Sequence, residues 1–463
     1  MRIAVAALVP RGAARHVVWN IIGVALPAVV ALATIPWLAR RLDPDRFALL
    51  ALLWSGVAWY AMLDLGIGRV LALRVTTALA SDRQAEIGGL VWSAGWLSWF
   101  GAGPFAIGGA LLAPWLADHM RFATPDAALE AVAVLRWLAL ALPVVIHGVM
   151  LRAAFEGGRH FGLVNLLRVP MMFATYLGPL VVEAAGLSVV EMAGVVVSIR
   201  MLYLVVQVAA LDRLAPHARR PRSFSFPSMR DLLGTGSWII VSAIVSPLLL
   251  QGDRLLLPLF VPVADFGWYA TVAEGAMRLW MLTGAMQPVL FAALVASVAQ
   301  DGVAASHLIR KAVRVTVGLL LPPAVLLSLF ATPGLRWWLG PLFEPASVRA
   351  VCLVLVGVIA GGFSQVAYAV LQSDREARAV GVLHLVQLPV TAVLLVVGAA
   401  GWGAVGVAGA WTMRLIADAS MMWWVVARGG PDRRLVSHEV ARWGGLSLVS
   451  LGAAQLLAGL GPW

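Results

Sequence analysis

The chain reads as a succession of long apolar runs separated by short polar breaks. A helix needs roughly 20 apolar residues to cross the hydrocarbon of a membrane. Runs of that kind fall near 17–39, 47–73, 87–115, 131–152, 164–185, 189–211, 236–260, 267–298, 313–331, 350–372, 379–400 and 402–427. A last run, 443–461, predicts a thirteenth helix. The runs are continuous rather than alternating, so they predict helices and not the strands of a barrel. Near the amino end, the seven-residue run Ile3–Val9 is short for a cleaved leader and is followed by Arg11 and Arg15. The first full span is therefore expected to serve as an uncleaved membrane signal.

The longest polar stretch, Asp212–Gly236, divides the first twelve spans six and six. The expected organisation is a six-helix lobe over 1–212, a basic cytoplasmic linker over 213–236, a second six-helix lobe over 237–427, and a basic loop with the thirteenth helix over 428–463. An even number of spans in the first half gives both halves the same orientation, a parallel repeat about a pseudo-two-fold along the membrane normal. Trp19 and Trp238, Phe47 and Phe266, and Ala51 and Ala270 share one offset of 219 residues, as such a repeat requires. The fold class is thus an all-α polytopic membrane bundle. Prolines 27, 36, 247, 258, 322 and 323 bend or break its spans, and Gly357 and Gly361 offer a close helix contact.

Composition agrees with lipid as the solvent. Of the 463 residues, 61% are hydrophobic and only 12% are charged, against about 25% charged in soluble domains. Twenty tryptophans suit interfacial belts. The net charge is +11, yet the 34 basic residues lie mostly in short loops, which excludes a nucleic-acid face. With the amino end in the cytoplasm, 22 of them fall on cytoplasmic segments and seven on outer ones. That bias predicts the orientation in a bacterial inner membrane. The single cysteine, Cys352, lies in an apolar run and excludes an intrachain disulfide. No nucleophile elbow, phosphate loop or metal-ligand spacing appears, so neither an enzyme nor a cofactor or metal is expected.

What chemistry remains is charge inside the spans, where an ionised side chain costs about 2.5–3.5 kcal/mol or more and must face a cavity or a partner. Arg69, Arg136, Arg200, Arg278 and Arg414 are so placed. Glu274 with Arg278, and Arg414 with Asp418, stand four residues apart and can pair within one helix. Arg200, Arg136 and Arg69 have no acid at that spacing. Together with Arg278 and Arg254 they suggest a cationic cavity suited to a phosphate or pyrophosphate. A tertiary ion pair of Arg200 with Asp64, Glu183, Glu191 or Asp253 is the competing reading.

The segment Pro36-Trp37-Leu38-Ala39-Arg40-Arg41-Leu42-Asp43-Pro44-Asp45-Arg46-Phe47, followed by Leu63-Asp64-Leu65-Gly66-Ile67-Gly68, carries a family resemblance. So do Gln251-Gly252-Asp253-Arg254, Gly267-Trp268-Tyr269-Ala270 and Arg278-Leu279-Trp280. The chain resembles the Wzx-type oligosaccharide flippases of the multidrug/oligosaccharidyl-lipid/polysaccharide (MOP) exporter superfamily. It departs from their pattern at Asp43 and Ala48, where glycine is usual. The resemblance implies export of a polyprenyl-pyrophosphate-linked oligosaccharide to the periplasmic leaflet by alternating access, for O-antigen, capsule or exopolysaccharide. It implies membrane lipid, a polymerase and chain-length proteins as partners. Asp253, Glu274, Asp64 and Asp418 become candidates for ion coupling. A cation-coupled drug antiporter of the same fold and a peptidoglycan-precursor flippase are the alternatives. The first wants unneutralised acids in the spans, and the second usually has two more helices.

Overall fold

Helix α1 covers 29–41 and α2 Pro44–Tyr60, followed by α3 Ile67–Ala80, α4 Ile87–His119, α5 Pro125–Gly157, α6 Phe161–Ala184 and α7 Val189–Ala209. Then come α8 Ser237–Leu256, α9 Val263–Met277, the short α10 Trp280–Gly284, α11 Gly302–Leu329, α12 Ala331–Leu339, α13 Pro345–Ser373, α14 Ala377–Ala427 and α15 Pro431–Leu457. The computed structural model describes residues 29–63, 67–81, 83–216, 237–284, 302–373, 376–429 and 431–457, with residues 27, 218, 219, 286, 290, 291, 293 and 294. Asp64, the start of the first span and most of the 213–236 linker lie outside them. Among the described residues the chain is helical, and no strand occurs.

The thirteenth helix is present as α15. Among the described residues, seven helices are long and apolar enough to cross a membrane by length and composition. The shorter α2 and α9, of 17 and 15 residues, fall below that length. The expected eighth span, 267–298, differs most: α9 stops at Met277 and a short helix follows.

The chain forms two compact units, Met1–Pro247 and Leu248–Trp463, and the division falls inside α8 at Pro247. In the first unit α5 is the central helix, packed by α2, α3, α4, α6 and α7. Its apolar residues repeat around the whole circumference, so it is buried on several faces, as a helix without a polar stripe must be. Leu71, Val75, Ile87, Val91, Leu151 and Phe155 form the core between α3, α4 and α5. Gly157 lets α3 approach: a methyl there would strike the backbone of Ala72, within 2.8 Å of its Cα. Backbone cannot move aside as a side chain end can. Gly157→Ala is therefore expected to destabilise the unit by about 1–3 kcal/mol, the usual penalty of overpacking. Thermal unfolding of the purified variant against the parent checks this, and an unchanged midpoint would show that α3 yields.

In the second unit α13 is the central helix. The Gly357/Gly361 pair predicts a helix contact, and two indoles fill that notch. Trp411 and Trp280 lie against these glycines, with ring centroids 5.8 Å apart. Trp411 Nε1 donates to Leu250 O at 2.9 Å and Trp280 Nε1 to Val358 O at 2.6 Å, so each buried indole keeps a partner. Helix α14 holds the two expected spans 379–400 and 402–427 as arms of one hairpin. Gly403 reverses the chain with φ +57°, a left-handed value that glycine adopts without strain. Gly398 and Gly406 then meet face to face, with no room for a side chain. This reversal brings Gln387 and His384 opposite Asp418, some thirty residues later.

Candidate functional site

The residues that carry the family resemblance near the start are built into scaffolding. Asp43 caps α2 by accepting from Arg46 N at 3.1 Å. The buried Asp45 accepts from Ala123 N at 2.6 Å and Thr124 N at 3.3 Å, tying the loop before α5 to α2. Arg46 holds Glu130 through two bonds of 2.8 and 2.9 Å. The bidentate carboxylate raises the Arg46 pKa above its ordinary value. This lock joins the first turn of α2 to α5.

Arg200 lies twelve residues into α7, near its middle. No carboxylate forms an ion pair with it among the described residues, and its buried Nε makes no hydrogen bond. Its Nη1 meets only the Met171 sulfur, at 2.6 Å. Three of its four competing partners are engaged elsewhere. Glu183 faces Arg41 at 3.9 Å, Glu191 closes the capping box of α7 with Ser188, and Asp253 accepts from Tyr269. Asp64 is outside the described residues.

Two further arginines stand near Tyr203, the neighbour of Arg200 along α7. Tyr203, one turn along α7, feels the charges of Arg152 on α5, Arg168 on α6 and Arg200 together. Tyr203 packs beside Gly148. Tyr176 of α6 also borders Arg200 and packs against Trp54 in a tilted arrangement, ring centroids 5.4 Å apart. The one acid in this group is Glu156, 3.6 Å from Arg152. Arg152 and Arg168 therefore share this carboxylate, while Arg200 pairs with none among the described residues. The three arginines are graded in depth: Arg152 lies in the last turns of α5, Arg168 about 10 Å into α6, and Arg200 near the middle of α7.

The charge count places Arg152 and Arg168 among the 22 basic residues of the cytoplasmic segments. The structure puts both within helices: α5 runs to Gly157 and α6 starts at Phe161. Backbone hydrogen bonds carry a helix past the end of its apolar run. Only Gly158, Arg159 and His160 make the turn, with Arg159 at φ +60°. The signal available was the close spacing of the arginines around so short a break. Arg69 and Arg136 are exposed on α3 and α5 and do not join the Arg152–Arg168–Arg200 group.

Arg254 and Arg278 have the opposite character. Arg254, expected with Arg278 among the cavity arginines, sits inside α8 and is 2% exposed. Its Nη1 is 3.4 Å from Glu274 Oε2, and Arg278 Nη2 is 3.1 Å from Glu274 Oε1. One carboxylate thus bridges two guanidinium groups, and the Glu274–Arg278 pairing is as the spacing predicts.

Arg414 and Asp418 do not form the expected ion pair. Asp418 instead accepts from Gln387 Nε2 at 3.1 Å and lies 3.5 Å from His384 Nε2. Arg414 rests in the combined field of Asp418 and Asp253, while Asp253 Oδ2 accepts from Tyr269 at 2.6 Å. Asp418, Asp253, His384, Gln387 and Arg414 are all buried. His384 and Gln387, three residues apart in an apolar run, are site residues that a search for arginines and acids passes over. No group of three or more His, Cys, Asp or Glu side chains that could hold a metal occurs among the described residues.

Known structures place this arrangement in a class. The fold matches that of solved MOP-superfamily transporters. An inward-facing multidrug-resistance MATE transporter matches with TM-score 0.70 at 14% identity, covering 90% of this chain and 96% of its own. A MOP-superfamily transporter from Pyrococcus furiosus, described as having a binding pocket of reversed polarity, matches with TM-score 0.61 at 14% identity, over 94% and 95%. The chain belongs to the polysaccharide biosynthesis protein family, whose model matches residues 37–348. A Shigella flexneri protein named as an O-antigen transporter is 21% identical over 425 residues, covering 89% of this chain and 97% of its own length.

Proposed function

We propose that this protein is a flippase that carries a polyprenyl-pyrophosphate-linked oligosaccharide from the cytoplasmic to the periplasmic leaflet. The observation that carries the reading is Arg200, a guanidinium in mid-span without a carboxylate, joined by Arg168 and Arg152 toward the end assigned to the cytoplasm. A dianionic headgroup is the natural complement of three arginines with one acid among them. Planar guanidinium forks bind phosphate oxygens bidentately, and Tyr203 and Tyr176 offer hydroxyls beside them. The series of arginines would pass the headgroup inward while the isoprenoid stays in lipid. The family and the O-antigen relative support this substrate class. Alternating exposure of the arginines to the two sides completes the cycle.

In a host lacking its own flippase, expression of the protein restores surface polysaccharide, and lipid-linked units no longer accumulate in the inner leaflet. Extrusion of cationic dyes with no polysaccharide restored would instead favour the drug antiporter.

The buried His384–Asp418 contact supports a proton-coupled cycle. The imidazole and carboxylate can share one proton, with Gln387 holding the same carboxylate oxygen and Arg414 and Asp253 setting the local field. Asp418→Asn is expected to insert normally and to make transport into proteoliposomes indifferent to an imposed pH gradient. Full retention of the gradient's effect would remove Asp418 from the coupling.

A further inference from the structure

The second unit contains a groove that the flippase reading does not use. It lies among α13, the second arm of α14 and α15, with a cavity of about 760 Å³. Its depth is apolar, with Phe363, Leu448 and Leu451 on the walls. Its rim holds Arg428, Arg434 and His438. No carboxylate lines it. Of the two acids near it in sequence, Asp432 is not among the lining residues and Glu439 is turned to Arg314 at 2.8 Å. The Arg428 guanidinium sits 3.6 Å over the Trp424 ring, a stacked pair that suits the boundary between lipid and water.

The dimensions fit one leaflet. From Arg434 to Leu448 the rise along α15 is roughly 21 Å, against about 15 Å for half a hydrocarbon core plus a headgroup layer. Gly444 and Gly445 border the groove, and a methyl on either would meet nothing within 4 Å. The space beside them is open along the path an acyl chain would take.

We infer that this groove binds an anionic glycerophospholipid, with its phosphate on Arg428 and Arg434 and an acyl chain along Gly445 and Leu448. Charge complementarity selects the occupant: a basic rim without an acid discriminates against zwitterionic headgroups, and basic pockets between helices on the cytoplasmic side favour anionic ones. The rim lies at the end that the distribution of basic residues assigns to the cytoplasm. The isoprenoid tail of the substrate is the rival occupant, but the proposed pyrophosphate grip belongs to the first unit.

Native mass spectrometry of the full chain, delipidated and then titrated with lipids of matched chains, tests this. Phosphatidylglycerol adducts should persist at activation energies that strip phosphatidylcholine. Arg428→Ala with Arg434→Ala should weaken the phosphatidylglycerol adduct by about 30-fold. Gly445→Leu should weaken it by filling the groove while leaving both arginines in place. Undecaprenyl phosphate at equal concentration should not displace it. Equal retention of the two phospholipids, indifference to all three substitutions, or displacement by undecaprenyl phosphate would each overturn the inference. Loss of the adduct by Gly445→Leu in a variant that still exports polysaccharide would separate this site from the substrate path.

Discussion

Replacing Arg200 by methionine abolishes polysaccharide export and leaves the fold intact or more stable. The two effects have one cause. Among the described residues Arg200 makes no ion pair, and it keeps an unbonded Nε in a buried setting, so its charge opposes folding. An apolar side chain of similar length removes that penalty. The same charge is what a pyrophosphate needs. A hydrogen bond to a charged group contributes about 1.5–3 kcal/mol, so its loss weakens headgroup binding about 10- to 150-fold. Arg168→Met is expected to act in the same direction. Surface polysaccharide, read alongside thermal unfolding of the purified variant, checks both halves. A variant that exports fully, or one that loses export only because it fails to fold, would remove Arg200 from the mechanism.

Glu274 gives the contrasting result. Its substitution by alanine is expected to lower stability by about 3 kcal/mol, the low end for breaking a buried pair, because Glu274 itself is 36% exposed. The damage comes from Arg254, 2% exposed and then left without its carboxylate. Adding Arg254→Met to Glu274→Ala should therefore recover most of the loss, since it removes the orphaned charge. Arg278, at 28% exposure, can reach polar surroundings by itself. The measurement is thermal unfolding of the two single variants and the double. If the double is no more stable than Glu274→Ala, the bridge does not hold the unit as described.

The pair of predictions also marks how far the sequence could be read. Long apolar runs announce their helices whatever their neighbours are, because lipid requires each segment to satisfy its own backbone. Hence α4 to α7 and α13 lie close to where hydropathy puts them, while α15 starts twelve residues before its apolar run. Helix ends are another matter. The charge count puts Arg152 and Arg168 on cytoplasmic segments, yet they lie within α5 and α6. Their charges face Tyr203 only because the turn at Gly158 to His160 is so short.

Pairing within one helix was partly legible. Glu274 and Arg278 meet as their spacing implies, since four residues always share a face. Arg414 and Asp418 share that spacing but not an ion pair, because the α14 hairpin supplies Asp418 with His384 and Gln387. Spacing permits a contact; the tertiary neighbours decide it. The burial of Arg254 was illegible for the same reason, since its carboxylate comes from the next helix.

The most direct test of the central claim is equilibrium binding of a fluorescent polyprenyl-pyrophosphate lipid to the purified protein. The wild type should bind it, free pyrophosphate should compete, and Arg152→Ala, Arg168→Ala and Arg200→Ala combined should abolish the competable binding. Undiminished affinity in the triple variant, or equal affinity for an uncharged polyprenol, would contradict the grip of arginine on the headgroup.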